Sequence, residues 1–179
     1  MVSKFNRRGL ILGFAALALA ACAGPAPTES VVSEATRAQI SISAVNVDVS
    51  AIGPTTKGRQ VPAAAVEAEL TNSANALLRG RGAGNVPALA TLTLTEVNII
   101  TIGQSMLVGG ESVMKGTLTL SNARTGDIII PPTEITSGGG GWVAGGVIAA
   151  ATRDDPATEL RQMSQEFAAR AKILVFGQQ

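Results

Sequence analysis

The apolar positions of this chain change their spacing from one stretch to the next, and the spacing assigns the elements. Ile40 and Ile42 alternate with Gln39, Ser41 and Ser43, after which the apolar set moves by one residue to Val45, Val47 and Val49. A strand turns every second side chain toward its core, so one phase change in a continuous run predicts a strand over 38–50 with a β-bulge near Ala44 and Val45. The pattern recurs where Leu92 and Leu94 alternate with threonines and Val97 and Ile99 take over on the other phase, which predicts a second bulged strand over 88–102. Met114, Leu118 and Leu120 predict a third strand over 111–122. Gly126 suits the left-handed position of a hairpin loop, and Ile128 to Ile130 open a fourth strand that Pro131 and Pro132 confine to a short length or a sheet edge.

Two stretches follow helical spacing instead. Val66, Leu70, Ala74, Leu77 and Leu78 lie on one face of a helix predicted over 63–79, which Gly80, Gly82 and Gly84 end. Leu160, Met163, Phe167, Ala171 and Leu174 form the buried stripe of a second helix over 156–175. Asp154, Asp155 and Pro156 supply its N-cap and first turn, Glu159 lies early, Arg170 and Lys172 lie late, and Gly177 closes it. The order is β-α-β-β-β-α. Strands that alternate apolar residues with Thr and Ser have one buried and one wetter face, so the expected fold is a two-layer α+β sandwich: a mostly antiparallel sheet with two helices on one face.

The N-terminal region follows neither pattern. Lys4, Arg7 and Arg8 precede an apolar run from Leu10 to Ala21. About a dozen apolar residues are too few for a spanning helix, which needs roughly 20, and the layout is that of an export signal. The expected organisation is a signal peptide over 1–21, a lipidated flexible tether over 22–36 with two prolines, and a single α+β domain over 37–179 that contains a glycine-rich loop over 138–151.

The phrase Leu19-Ala20-Ala21-Cys22 resembles the lipobox of bacterial lipoproteins, in which cleavage falls between Ala21 and Cys22 and the Cys22 thiol carries diacylglycerol. That resemblance implies anchoring through Cys22. Ala23 and Gly24 stand where the family's inner-membrane retention signal has Asp, so the implied location is the outer membrane, facing the periplasm. Arg7-Arg8-Gly9-Leu10-Ile11 also resembles a twin-arginine export motif, although a plain basic n-region reads the same way, and the export route stays open.

Composition narrows the chemistry. The chain has no His, no Tyr and one Cys, so the commonest general base and metal ligand is missing and an internal disulfide is impossible. Removal of Lys4, Arg7 and Arg8 with the signal leaves 11 basic residues against 13 acidic, a net charge of −2 that offers nucleic acid no basic face. No cofactor and no metal site are expected. The glycines of Arg79 to Gly84 follow a helix, whereas a phosphate-cradling loop opens one, so they read as a C-cap and linker. Asp154 and Asp155 read as a helix start, and no Ser-x-x-Lys motif supplies a serine nucleophile with a base. The expectation is a protein that is not an enzyme.

The element order, the phrase Gly116-Thr-Leu-Thr-Leu-Ser-Asn-Ala-Arg-Thr-Gly126-Asp and the glycine-rich stretch before the last helix resemble the small outer-membrane lipoproteins with a TolB N-terminal-like domain. YajG, LptE and the periplasmic domain of CsgG are similar in this respect. The resemblance spans about residues 36–176, with Asn122 where the pattern has Asp, and it brings no common catalytic set. It implies a non-catalytic lipoprotein that binds another cell-envelope component, a protein or a lipid-bearing molecule, in assembly or maintenance. The alternative is a subunit of an oligomeric secretion or export pore resembling CsgG, which would make the chain a homo-oligomer.

Within the glycine-rich loop, Gly141 and Gly145 have the small-xxx-small spacing of close helix approach, and Trp142 is the only Trp. These three residues are the candidate partner contact, against the alternatives of a loop whose Trp packs over the sheet and of a membrane-inserting segment.

Overall fold

The sheet of this protein is built around one long strand. In the computed structural model, which describes residues 29–101, 111–138 and 155–178, strand β1 spans Ile40–Asp48, β2 Lys57–Gly58, β3 Val86–Ile99, β4 Val113–Asn122 and β5 Ile128–Gly138. Helix α1 spans Glu34–Gln39, α2 Ala63–Leu78 and α3 Pro156–Phe176. The sheet order is β1-β3-β4-β5, with β2 extending the β1 side of β3. β1 and β2 run parallel to β3, whereas β3-β4 and β4-β5 are antiparallel. A parallel pair cannot be joined by a tight turn, and α2 is the crossover between β1 and β3. Helices α2 and α3 pack against each other, α2 on β1 and α3 on β5, β4 and β3. This is the expected two-layer α+β sandwich.

Both predicted bulges are present, and they explain the phase changes. Ile42 pairs with Ala88 and Ala44 with Leu89, which leaves Ser43 as the extra residue, its Oγ donating to the Ala88 carbonyl at 3.2 Å. In β3, Leu94 pairs with Gly116 and Glu96 with Lys115, so Thr95 is the extra residue. The bulges keep both apolar sets on one face: Ile40, Ile42 and Val47 are all buried, as are Leu92, Leu94, Val97 and Ile99. Gly116 is required by close packing, since a Cβ there would lie 2.3 Å from the Thr93 carbonyl oxygen.

The helical stripes fall as the spacing indicates. Val66, Leu70, Ala74 and Leu78 are fully buried, and Leu160, Met163, Phe167, Ala171 and Leu174 form the α3 side of the same core. Each large apolar side chain so buried contributes about 1.5–3 kcal/mol. Asp155 caps α3 by accepting from the N–H groups of Ala157 and Thr158, and Gly177, at φ 78°, ends it. β5 lies at the sheet edge and is 11 residues long. It accommodates Pro131 and Pro132 by a register shift between the Leu118–Thr133 and Leu120–Ile130 pairs.

Two features depart from the expected organisation. Residues 30–36, expected in the tether, are held against the domain. Ser30 Oγ donates to the Leu174 and Val175 carbonyls, the Val31 N–H donates to the Leu174 carbonyl, Val32 is buried, and Ser33 caps α1. The reason is local chemistry: Ser33 and Thr36 form a cap that a composition-based reading treats as polar linker. The second is β2, which lies inside the expected loop 53–62 and pairs Lys57 with Asn98 and Gly58 with Ile99.

Candidate functional site

The parallel and antiparallel pairings give the domain two distinct ends. Ser30, the start of β1, the C-termini of α2 and α3 and the 122–128 turn share one of them, the entry end. The finish of β3, the start of β4, Gly138 at the end of β5 and Asp155 before α3 share the other, the far end. Segment 139–154, which holds Trp142, therefore leaves and rejoins the described domain at the far end.

Its two flanks are fastened by different chemistry. Ser137, fully buried, donates through Oγ to the Met163 carbonyl at 2.9 Å. The Gly138 N–H donates to Glu166 Oε2 at 2.9 Å, and Arg170 holds the other carboxylate oxygen through Nε at 3.0 Å and Nη2 at 2.6 Å. Gly138 adopts φ +73°, and a Cβ on it would lie 2.3 Å from the Ser112 carbonyl oxygen, so no larger residue fits without displacement. On the other flank, hydrogen bonds from the Thr158 side chain and backbone, and from the Ala157 N–H, hold the Asp155 carboxyl below the usual carboxylate range.

Beside these flanks lies a polar cluster that joins elements far apart in the chain. Ser112 Oγ donates to Glu159 Oε1 and accepts the Ile100 N–H at 3.1 Å. Arg59 Nη1 stands 3.6 Å from Glu159 Oε2, with side chains only 14% and 13% exposed. The Arg59 N–H donates to the Ile99 carbonyl at 2.6 Å, and Thr56 Oγ1 donates to the Arg59 carbonyl at 2.5 Å while accepting the Val61 N–H at 3.0 Å. A half-buried ion pair costs desolvation, which the Ser112 Oγ bond to the Glu159 carboxylate offsets in part, and its return is a fixed geometry between loop 53–62, the β3 and β4 ends and the first turn of α3. Ser112 is 5% exposed and already engaged as both donor and acceptor.

The sequence-predicted site residues divide accordingly. Ala21, Cys22, Gly141, Trp142 and Gly145, and Asp154, lie outside the described residues. The Arg79 to Gly84 stretch is a helix exit that covers the outer edge of β1. The Gly80 N–H donates to the Ile42 carbonyl, the Ile42 N–H to the Arg81 carbonyl and the Gly84 N–H to the Ile40 carbonyl. A Cβ on Gly82 would meet the Ile40 carbonyl oxygen of β1 at 2.3 Å, and one on Gly84 the carbonyl carbon of Gln39 just before β1 at 1.9 Å. Arg59, Ser112 and Glu159 were not legible as a group, because no sequence spacing relates a loop, a strand end and a helix start. The Glu166–Arg170 pair, four apart on a helix, carries the one signal that spacing could have shown. Among the described residues no group of three or more His, Cys, Asp or Glu could hold a metal, and no helix is long and apolar enough to cross a membrane.

No family model matches the sequence, and no curated protein shows a match. Solved structures do show likeness. A protein of Caulobacter crescentus CB15 assigned as a lipoprotein aligns over 72% of this chain and 85% of its own, at 13% identity and a TM-score of 0.35. The PelC dodecamer of Paraburkholderia phytofirmans aligns over 88% and 95%, at 15% identity and a TM-score of 0.41. A Xanthomonas campestris protein of the DUF330 family aligns over 84% and 95%, at 11% identity and a TM-score of 0.43. At these scores the chain is similar to these proteins in broad outline, and nothing about its activity follows from the likeness.

Proposed function

We propose that this protein is a non-catalytic lipoprotein of the outer membrane that binds another envelope component through the segment at its far end. Cys22 is the lipid attachment point, Ala21 and Cys22 flank the signal cleavage site, and Trp142, with Gly141 and Gly145 beside it, is the partner contact. The observation that supports the reading is the division of labour between the two ends. The chain enters beside Val175, and the Trp142 segment is fastened at the opposite end by Gly138 and Asp155. Helix α3, 21 residues long, separates the two by about 30 Å. The described residues that flank the Trp142 segment thus lie at the end opposite Ser30.

Cys22→Ser tests the anchor. The substitution is expected to abolish both fatty-acid labelling and signal removal, since both need the sulfur, and a Ser variant that still takes up label in the outer-membrane fraction overturns the reading. Crosslinking the wild-type chain in cells and sizing the detergent extract tests the partner. A single crosslinked envelope component on a monomer supports the binding role, and a ring of fixed stoichiometry favours the oligomeric export pore instead.

A further inference from the structure

We infer that the entry end is a docking face for an anionic lipid surface. This rests on the proposed lipid anchor at Cys22. Three independent features meet there.

The first is reach. Ser30 is fixed to the end of α3, and eight peptide units separate it from Cys22, a span of at most about 28 Å even when fully extended. The second is exposed apolar surface. The large hydrophobic side chains exposed among the described residues are Val31, at 55%, and Ile128, at 60%. Val31 adjoins the chain entry, and Ile128 follows the turn whose Ala123 N–H donates to the Pro87 carbonyl beside the start of β3, so both belong to the entry end.

The third is the state of the arginines. Toward the far end and along the flanks Lys57 and Lys115 pair with Glu96, Arg59 with Glu159 and Arg170 with Glu166, while Arg161 donates to Thr158 Oγ1 near the Asp155 carboxylate. At the entry end Arg37 donates to the Phe176 carbonyl, Arg81 to the Leu77 carbonyl and Arg124 to the Asn85 carbonyl. None of these contacts neutralises the guanidinium, and Arg79 is exposed beside them. Arg37 and Arg81 also line an open groove of about 500 Å³ together with the largely buried Phe176. Guanidinium groups suit phosphate, and an apolar side chain among them suits the boundary between headgroup and acyl chain.

Glu29, Glu34 and Asp127 share this end, with Glu34 in the groove itself, so its net charge is small. The free domain therefore has little affinity of its own for a bilayer. The anchor supplies proximity, and the arginines and the two apolar side chains set which way the domain faces.

The test uses the mature chain purified from membranes and placed in vesicles of phosphatidylethanolamine and phosphatidylglycerol. Val31→Cys, Ile128→Cys and, at the far end, Lys57→Cys each carry an environment-sensitive fluorophore. The expected result is blue-shifted emission, quenched by headgroup nitroxides, at positions 31 and 128 but not at 57, with loss of the shift in an Arg79→Glu, Arg81→Glu double variant that melts like the parent. Equal emission at all three positions overturns the docking face, and equal shifts in vesicles of phosphatidylcholine alone overturn its preference for anionic lipid. The mass of the Cys22 peptide separates this from the anchor itself. If Cys22 carries no lipid in cells the lipoprotein reading falls, and the face is then tested in the parent chain, whose single thiol is Cys22, by coupling that thiol to maleimide lipid and comparing hydroxyl-radical oxidation at Val31 and Ile128 with that at Lys57 in the same two kinds of vesicle; protection confined to positions 31 and 128 supports the face, and equal oxidation overturns it.

Discussion

Ser30 Oγ lies 2.7 Å from the carbonyl oxygen of Val175, 145 residues later in the chain. The contact ties the first described turn to the last turn of α3 and closes the domain on itself. A chain that starts at Arg37, where the tether was expected to end, loses this bond, the Val31 bond to Leu174, the buried Val32 and the Ser33 cap. Thermal melts of chains starting at Thr28 and at Arg37 are expected to differ by several kcal/mol, from about 1 kcal/mol for each hydrogen bond or cap and 1.5–3 kcal/mol for the valine. Equal melts would return residues 30–36 to the tether.

Gly138 and Gly126 both adopt positive φ, at +73° and +81°, but their surroundings differ. At Gly126 a Cβ meets nothing within 4 Å, so Gly126→Ala is expected to cost about 1 kcal/mol, the conformational penalty alone. At Gly138 the methyl would also strike the Ser112 carbonyl oxygen and Met163, so Gly138→Ala is expected to cost well beyond that, in the range of roughly 2–4 kcal/mol seen when strain and overpacking combine. Denaturant titration of the two variants measures the difference.

Glu96 accepts from Lys115 and Lys57, which hold its carboxyl below the usual range. A depressed folded-state pKa means the unfolded chain takes up the proton first, so the contribution is complete above the ordinary carboxylate range and is lost as pH falls through the folded value. Acid unfolding followed by circular dichroism is expected to begin at higher pH in the wild type than in Glu96→Gln, measured relative to each protein's neutral stability. The difference should shrink in high salt because the site is open to solvent.

Trp142→Ala is expected to leave the melting transition nearly unchanged and to weaken partner capture. Emission from the single Trp of the isolated domain gives a direct check, since no Tyr interferes. Red-shifted, readily quenched emission agrees with a contact residue, whereas blue-shifted, quencher-resistant emission would place the indole in a core and sink the assignment.

Where periodicity carries the information, the fold was legible. The bulges at Ser43 and Thr95 could be read because a deep core demands one face, and an apolar set that changes phase can keep that face only by inserting a residue. Both α3 caps could be read because Asp155, Pro156 and Gly177 have local preferences that no tertiary contact opposes. Helix α1 escaped, since six residues without a buried position show no stripe. The Arg59, Ser112 and Glu159 cluster escaped for the opposite reason: it is wholly tertiary, and Glu159 in isolation is indistinguishable from an acid that complements the helix dipole.

The arrangement along the two rims of the sheet bears on life at high local density. The outer rim of β1 is already hydrogen-bonded by the backbone of Gly80, Arg81 and Gly84, and β5, on the other rim, presents Pro131 and Pro132, which have no N–H to offer a newcomer. Molecules confined to a surface collide far more often than the same number dispersed in solution, and each collision between open strands is an opportunity for runaway stacking. If the proposed lipid at Cys22 confines the chain to such a surface, the stitched start of one rim and the two prolines in the other let neighbouring copies jostle in two dimensions without zipping into a continuous ribbon.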